Sequence, residues 1–221
     1  MVEHRHAAAR RSADVHDFKR ARIRDAAKRV FADRGIHDTT MRQIAAVAGW
    51  STGALYQYYS SKEELYADVL RQSLAKLRDY VQSSLQQAGD ERGRAALRAL
   101  WAYYDARGDE FDLGFYLYRG ARPVGLGNEL NRELNQMLND VINLIAGALL
   151  ADGLVAQEDA HRIAMARATS IFGLVLVAKT GRLHSMQPGY APEEMLDILF
   201  ADLDWFEHSA STKEGKKCPS Q

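Results

Sequence analysis

The sequence predicts an all-α protein: a three-helix N-terminal head holding a helix-turn-helix, then a helical body, about nine helices in all. Three observations carry this. Apolar residues recur three and four positions apart, and no stretch alternates with the period of two that a half-buried strand requires. Pro123, Pro188, Pro192 and Pro219 all fall between helical patterns or at their starts, where a missing N–H costs little. Residues 39–62, TTMRQIAAVAGWSTGALYQYYSSK, divide into a short helix, a tight turn and a second short helix.

Taken in order, residues 1–16 are basic and Ala-rich without apolar periodicity, and read as a flexible arm. Arg5, Arg10 and Arg11 either follow a phosphate backbone or minor groove, or belong to a solvated tail; the residue types favour the tail. Helix 1 is expected from Asp17 or Phe18 to Arg34, with Gly35 as its C-terminal cap. Ile23, Ala26, Ala27, Val30 and Phe31 form its buried stripe, while Lys19, Arg20, Arg22, Arg24, Lys28 and Arg29 decorate the other faces. In helix 2, Met41, Ile44, Ala45 and Ala48 make one apolar face. Gly49 supplies the backbone freedom for the turn, Ser51 or Thr52 caps helix 3, and Leu55 and Tyr59 sit four apart on its inward side. Helix 4 opens with a capping box, Ser60-x-x-Glu63 or Ser61-x-x-Glu64. It runs through Leu65, Val69, Leu70, Leu74, Leu77 and Val81 to near Gln87.

The head therefore covers 17–62 and a helical body 63–208. Body helices are expected at 91–107, 109–121, 128–151, 157–181 and 192–208, with a turn at 123–127 and a disordered tail at 209–221.

An exposed helix 3 would present Thr52, Gly53, Ala54, Tyr56, Gln57 and Tyr58, small and polar groups suited to a DNA major groove. Gly53 lets the backbone come close to the groove floor. Thr52, Ala54, Gln57 and Tyr58 are placed to meet base edges, Gln57 pairing with adenine and Ala54 touching a thymine methyl. Thr40 and Lys62, at the starts of helices 2 and 4, would point at phosphate, and Arg42 would serve phosphate or base. Ser51 lies at the same edge.

The run T-T-M-R-Q-I-A-x-x-A-G-x-S-x-G-x-L-Y-x-Y-Y-x-S-K-E-x-L resembles the DNA-binding domain of the TetR (tetracycline repressor) family, over about Ile23 to Leu65. Two positions depart from the usual pattern. Trp50 replaces a small aliphatic residue, and Tyr59 stands where phenylalanine is usual. The resemblance implies that Tyr56 contacts phosphate, that the last two long helices pair two copies into a four-helix bundle, and that the body holds a small-molecule pocket.

Composition sets the bounds. With 47% hydrophobic and 26% charged residues, the chain is ordinary for a globular protein, and no apolar run approaches the ~20 residues of a membrane span. The N-terminus lacks the apolar core of a secretory signal, and the one cysteine, Cys218, excludes an intrachain disulfide, so a cytoplasmic location is expected. The net charge of zero hides an asymmetry: up to Lys62 there are 12 Lys/Arg against 6 Asp/Glu, and thereafter 17 against 23. A basic head on an acidic body fits a nucleic-acid reader with a second function.

Helices 8 and 9 are too apolar for burial on one side, so Phe172, Val175, Leu176, Leu196, Leu199, Leu203 and Phe206 are expected at a homodimer interface. Trp101, Tyr104, Phe111, Phe115, Tyr118 and Phe172, with Arg119 as an anion-holding anchor, are candidate ligand contacts. Residue by residue, an aromatic core is the favoured explanation, and only the family resemblance points to a pocket. No metal-ligand spacing, nucleophile elbow or phosphate loop is present, so no enzyme activity, metal or cofactor is expected.

The expectation is a ligand-responsive repressor that binds a palindromic double-stranded operator as a homodimer and is released by a small apolar or amphipathic effector, without a membrane partner. The rivals are a constitutive DNA binder and a small-molecule carrier or enzyme with a vestigial head.

Overall fold

The structure, a computed structural model, describes the backbone at 2–115, 118–119, 122–123 and 126–201, and side chains at 14–114 and 126–201. The described residues form ten helices: α1 Val2–Arg34, α2 Met41–Ala48, α3 Thr52–Tyr56, α4 Lys62–Gln87, α5 Arg92–Asp105, α6 Gly108–Phe115, α7 Asn128–Ala151, α8 Ala160–Lys179, α9 Arg182–Met186, and α10 at 192–201. The tail at 209–221, and the side chains of Arg5, Arg10 and Arg11, lie outside the described residues.

Helix α1 begins ahead of the expected start at Asp17. Alanine and arginine at 7–11 favour helix on backbone grounds alone, which an apolar-stripe criterion does not register. Its predicted stripe, Ile23 to Phe31, is buried throughout. The helix closes where Gly35 turns left-handed (φ 69°) and donates to the Phe31 carbonyl at 2.7 Å.

Of the two candidate boxes at the start of α4, half of Ser61-x-x-Glu64 forms, and Ser60 pairs with Glu64 rather than with Glu63. The Glu64 amide donates to Ser61 Oγ at 3.1 Å, but the Glu64 carboxylate accepts from the amide and hydroxyl of Ser60, each at 2.7 Å.

Two compact units emerge, one from 1–73 with 109–135, the other from 74–108 with 136–221. The first unit thus extends past the expected boundary at 62/63: the start of α4, most of α6 and the start of α7 belong to it. In its core, Phe31 meets Tyr66 edge-on at 5.0 Å, and the Tyr66 hydroxyl donates to the Leu113 carbonyl.

The second unit packs α5 on α8 around Leu97, Leu100, Tyr103, Val141, Ile145, Leu149 and Ile171, all buried. Helices α5 and α7 come close at Gly93, where a Cβ would stand 2.8 Å from Leu149 Cδ2 and 3.1 Å from Leu149 Cα. There the Gly93 amide donates to Asp152 Oδ2 at 2.6 Å.

Helix α6 ends at Phe115, short of the expected 121, and the backbone at Tyr118–Arg119 pairs antiparallel with Arg122–Pro123. Gly120 and Pro123 are the residues that oppose helix in this stretch. The loop after Gly181 carries the short α9, which apolar periodicity does not reveal. By length and composition alone α7 and α8 would pass for membrane spans, beyond what reading runs of residues suggested. Both are two-sided: Val141, Ile142 and Ile145 of α7 are buried, whereas Asp140 and Asn143 are exposed.

Candidate nucleic-acid interface

Helix α2 starts with a complete capping box. Thr40 Oγ1 accepts from the Gln43 amide at 3.3 Å, and the Gln43 side chain accepts from the Thr40 amide at 2.8 Å. Met41, Ile44, Ala45 and Ala48 point inward. Gly49 then takes φ 75°, and the Trp50 amide closes onto the Ala45 carbonyl at 2.9 Å. Ser51 caps α3, its Oγ accepting from the Ala54 amide at 3.2 Å. Thr52 is the first residue of α3, so of the two candidate caps it is Ser51 that serves.

Leu55 and Tyr59 are fully buried and anchor α3. On the other side Gly53, Tyr56 and Gln57 are exposed, Tyr56 to 54%, while Thr52, Ala54 and Tyr58 are half-buried. Arg42 is exposed on α2. Tyr58 is flanked by two rings, His16 of α1 at 5.0 Å and Trp50 at 5.9 Å between centroids.

Two expected phosphate donors have partners inside the protein. Thr40 is engaged in its capping box. Lys62 directs its ammonium to three backbone carbonyls, Ile36 at 2.9 Å, His37 at 3.1 Å and Thr39 at 3.0 Å. Three donors meet three acceptors, so Lys62 clamps the α1–α2 loop; this corrects the direct phosphate role expected for it.

The framework behind the interface was not anticipated. Arg20, Arg24 and Lys28 stand four apart on one face of α1 and each meets a carboxylate that is almost fully buried. Arg20 Nη2 and Arg24 Nη1 donate to Asp68 Oδ2 at 2.9 and 3.1 Å, and Lys28 Nζ to Glu110 Oε1 at 2.5 Å. Asp68 and Glu110 are 8% and 7% exposed. The Tyr59 hydroxyl donates to the same Asp68 oxygen at 2.6 Å, so the departure from phenylalanine is a hydrogen bond. Burial alone pushes the Asp68 carboxyl up; the bonds from Tyr59, Arg24 and Arg20 outweigh it and hold the group below the usual carboxylate range. Burial first, then the bond to Asp68, push the Tyr59 phenol up. The legible signal was the four-residue cation ladder of α1 beside an acidic residue interrupting the apolar stripe of α4.

The body residues scatter more. Trp101 and Tyr104 are buried, and Tyr104 meets Phe172 edge-on at 5.9 Å. Tyr103, which meets Tyr104 edge-on at 5.3 Å, carries the Arg107 guanidinium 4.8 Å from its ring centre. Phe111 is buried in the first unit, apart in the chain's division from Trp101, Tyr104 and Phe172. The side chains of Phe115, Tyr118 and Arg119 lie outside the described residues.

Of the expected dimer residues, Val175 and Leu196 are buried within the protomer, which corrects their assignment to an outer face. The reason is that α10 is pinned inward. Arg98 reaches Asp197 at 2.9 Å, Arg167 donates to the Leu199 carbonyl at 2.8 Å, and Leu196 and Phe200 fill the space behind. Leu199 and Phe172 are half-buried, and Met165, Leu176 and Ile198 face out. Leu203 and Phe206 lie outside the described residues.

A capped helix, a left-handed glycine turn and a second capped helix with an exposed face define a helix-turn-helix DNA-binding module. The family profile described as bacterial regulatory proteins, tetR family, matches residues 23–69, so this segment of the chain is similar to that family.

The HTH-type transcriptional activator FasR of Mycolicibacterium smegmatis is 40% identical over 96 residues, 42% of this chain and 44% of that protein. The HTH-type transcriptional repressor KstR2 of Rhodococcus jostii is 38% identical over 86 residues, 37% of this chain and 39% of its own. The chain thus matches less than half the length of these relatives. Solved structures resemble it over more of its length. FadR of Bacillus subtilis, crystallised with stearoyl-CoA, covers 83% of this chain and 96% of its own at 16% identity and a TM-score of 0.66. A TetR-like regulator from Rhodococcus sp. RHA1 covers 90% and 97% at 22% identity and a TM-score of 0.61. At such identities the likeness concerns the fold.

Proposed function

We propose that the protein is a cytoplasmic, ligand-responsive transcription regulator, a repressor that binds a palindromic operator as a homodimer. One observation carries the reading: Tyr56, Gln57 and Gly53 share an exposed face on a helix held from behind by Leu55 and Tyr59, in a head with twice as many basic as acidic residues. Tyr56 and Arg42 serve phosphate; Gln57, Ala54, Thr52 and Tyr58 serve base edges.

A single module of this size reads a short site, so two copies set roughly 34–36 Å apart would double the contact. Met165, Leu176 and Ile198, large apolar side chains exposed on α8 and α10, support a second copy as what covers them. Helix α4 runs unbroken from Lys62 to Gln87, which supports it as the element an effector displaces. The effector is apolar or amphipathic. Stearoyl-CoA, bound by the fold neighbour, is the first compound to try.

The test is selection of genomic fragments by the purified full chain. A shared inverted repeat supports the proposal. Recovery of fragments with no common sequence contradicts it.

A further inference from the structure

The carboxylate of Asp68 accepts four hydrogen bonds. Tyr59, Arg20 and Arg24 converge on Oδ2, and Arg71 Nη1 donates to Oδ1 at 3.1 Å. Arg71 in turn grips Glu133 of α7 with both arms of its fork, Nε to Oε1 at 2.6 Å and Nη2 to Oε2 at 2.9 Å. An unbroken chain of hydrogen bonds thus runs from α7 through α4 to the residue that closes the recognition segment. All its members lie within the first unit.

We propose that Asp68 is a positioning residue for DNA recognition, which sets the rotation of α3 through Tyr59 and responds to α7 through Arg71. The inference rests on the DNA-binding reading above. Tyr59 belongs to the same rigid piece as α3, because its amide donates to the Leu55 carbonyl at 3.0 Å. Apolar burial of Leu55 holds α3 against the head but is non-directional. The Tyr59 hydroxyl is directional, and it fixes the angle at which Tyr56 and Gln57 are presented.

At the other end, α7 continues unbroken to Ala151. A shift of α7 that spoils the fork geometry at Glu133 frees Arg71 to take more of Asp68. The hold on Tyr59 then changes, because Oδ2 already accepts three donors. Three guanidiniums face two carboxylates, so when Glu133 withdraws Asp68 is the carboxylate left to all three.

The experiment is a double-mutant cycle in the full chain, read as affinity for a labelled genomic duplex recovered with the wild-type protein. Asp68→Asn risks misfolding, so the cycle uses Tyr59→Phe, which removes one hydroxyl, and Glu133→Gln, at a partly exposed site. Thermal melting confirms that each variant is folded. Tyr59→Phe weakens binding by about fivefold or more, with the salt slope unchanged because no phosphate contact is lost. The double variant departs from the product of the single effects by about threefold or more, although the two residues do not touch. If the wild type binds and the two effects simply multiply, or if Tyr59→Phe changes nothing, the positioning role is wrong and DNA binding stands. If the wild type binds no duplex, both are overturned.

Discussion

The Lys62 ammonium and the Thr39 carbonyl lie 3.0 Å apart, one of three such bonds by which the first residue of α4 holds the loop that launches α2. A cation at a helix start beside a DNA-binding surface invites a phosphate contact. Here its donors are already occupied.

That geometry makes a prediction for Lys62→Met. The loop loses its clamp and three carbonyls lose a charged donor, so melting temperature and operator affinity both fall. The slope of log affinity against log salt stays as in the wild type. A direct phosphate contact would instead reduce it by about 0.9. Affinity measured at several salt concentrations decides between the two.

Specificity separates Gln57 from Tyr56. Gln57→Ala should relax preference at one base position by about 1–3 kcal/mol, while Tyr56→Phe weakens all sequences alike. Competition binding with single-base operator variants checks this; uniform loss from Gln57→Ala would count against base reading.

The Asp68–Tyr59 bond limits the pH range of stability. Asp68 has a depressed folded pKa, so its contribution is present above the unfolded value of about 3.9 and is lost as pH falls through the lower, folded one. Tyr59 has a raised folded pKa, so its contribution is complete below about 10 and is lost as pH rises beyond it. Melting temperature against pH should show a plateau between these limits; Asp68→Asn is less stable at neutral pH by roughly 1–3 kcal/mol, and its acid limb is flatter, so the difference from the wild type shrinks as pH falls. An unchanged acid limb in that variant would contradict the assignment.

Gly93→Ala tests the packing of the second unit. The new methyl meets both the backbone and side chain of Leu149, with a cost of about 1–3 kcal/mol, read by chemical denaturation. A neutral result would mean that α5 can move away from Leu149 freely.

The helix-turn-helix was legible because it is written in local chemistry. Thr40 and Gln43, Gly49, Ser51 and Ala54 act on neighbours three or four residues away, within reach of a sequence pattern. The inward and outward faces of α2 and α3 follow from the same short spacing. The carbonyls that hold Lys62 and the α1 arginines that meet Asp68 were not legible as partners because they lie 23 to 48 residues off in the chain. A cation at a helix start reads the same whether it faces phosphate or a carbonyl cluster. Two apolar positions of the body were misplaced for a related reason. Val175 and Leu196 have the same character as Leu176 and Ile198, and only the pinning of α10 by Arg98 and Arg167 decides which of them turn inward.

The central claim is that the head grips duplex DNA through phosphate and groove contacts. Titrating salt against affinity for a recovered genomic duplex tests it most directly. Several phosphate contacts predict a linear fall of log affinity with log salt, about 0.9 per phosphate neutralised. A flat profile, or no binding in dilute buffer, would contradict it.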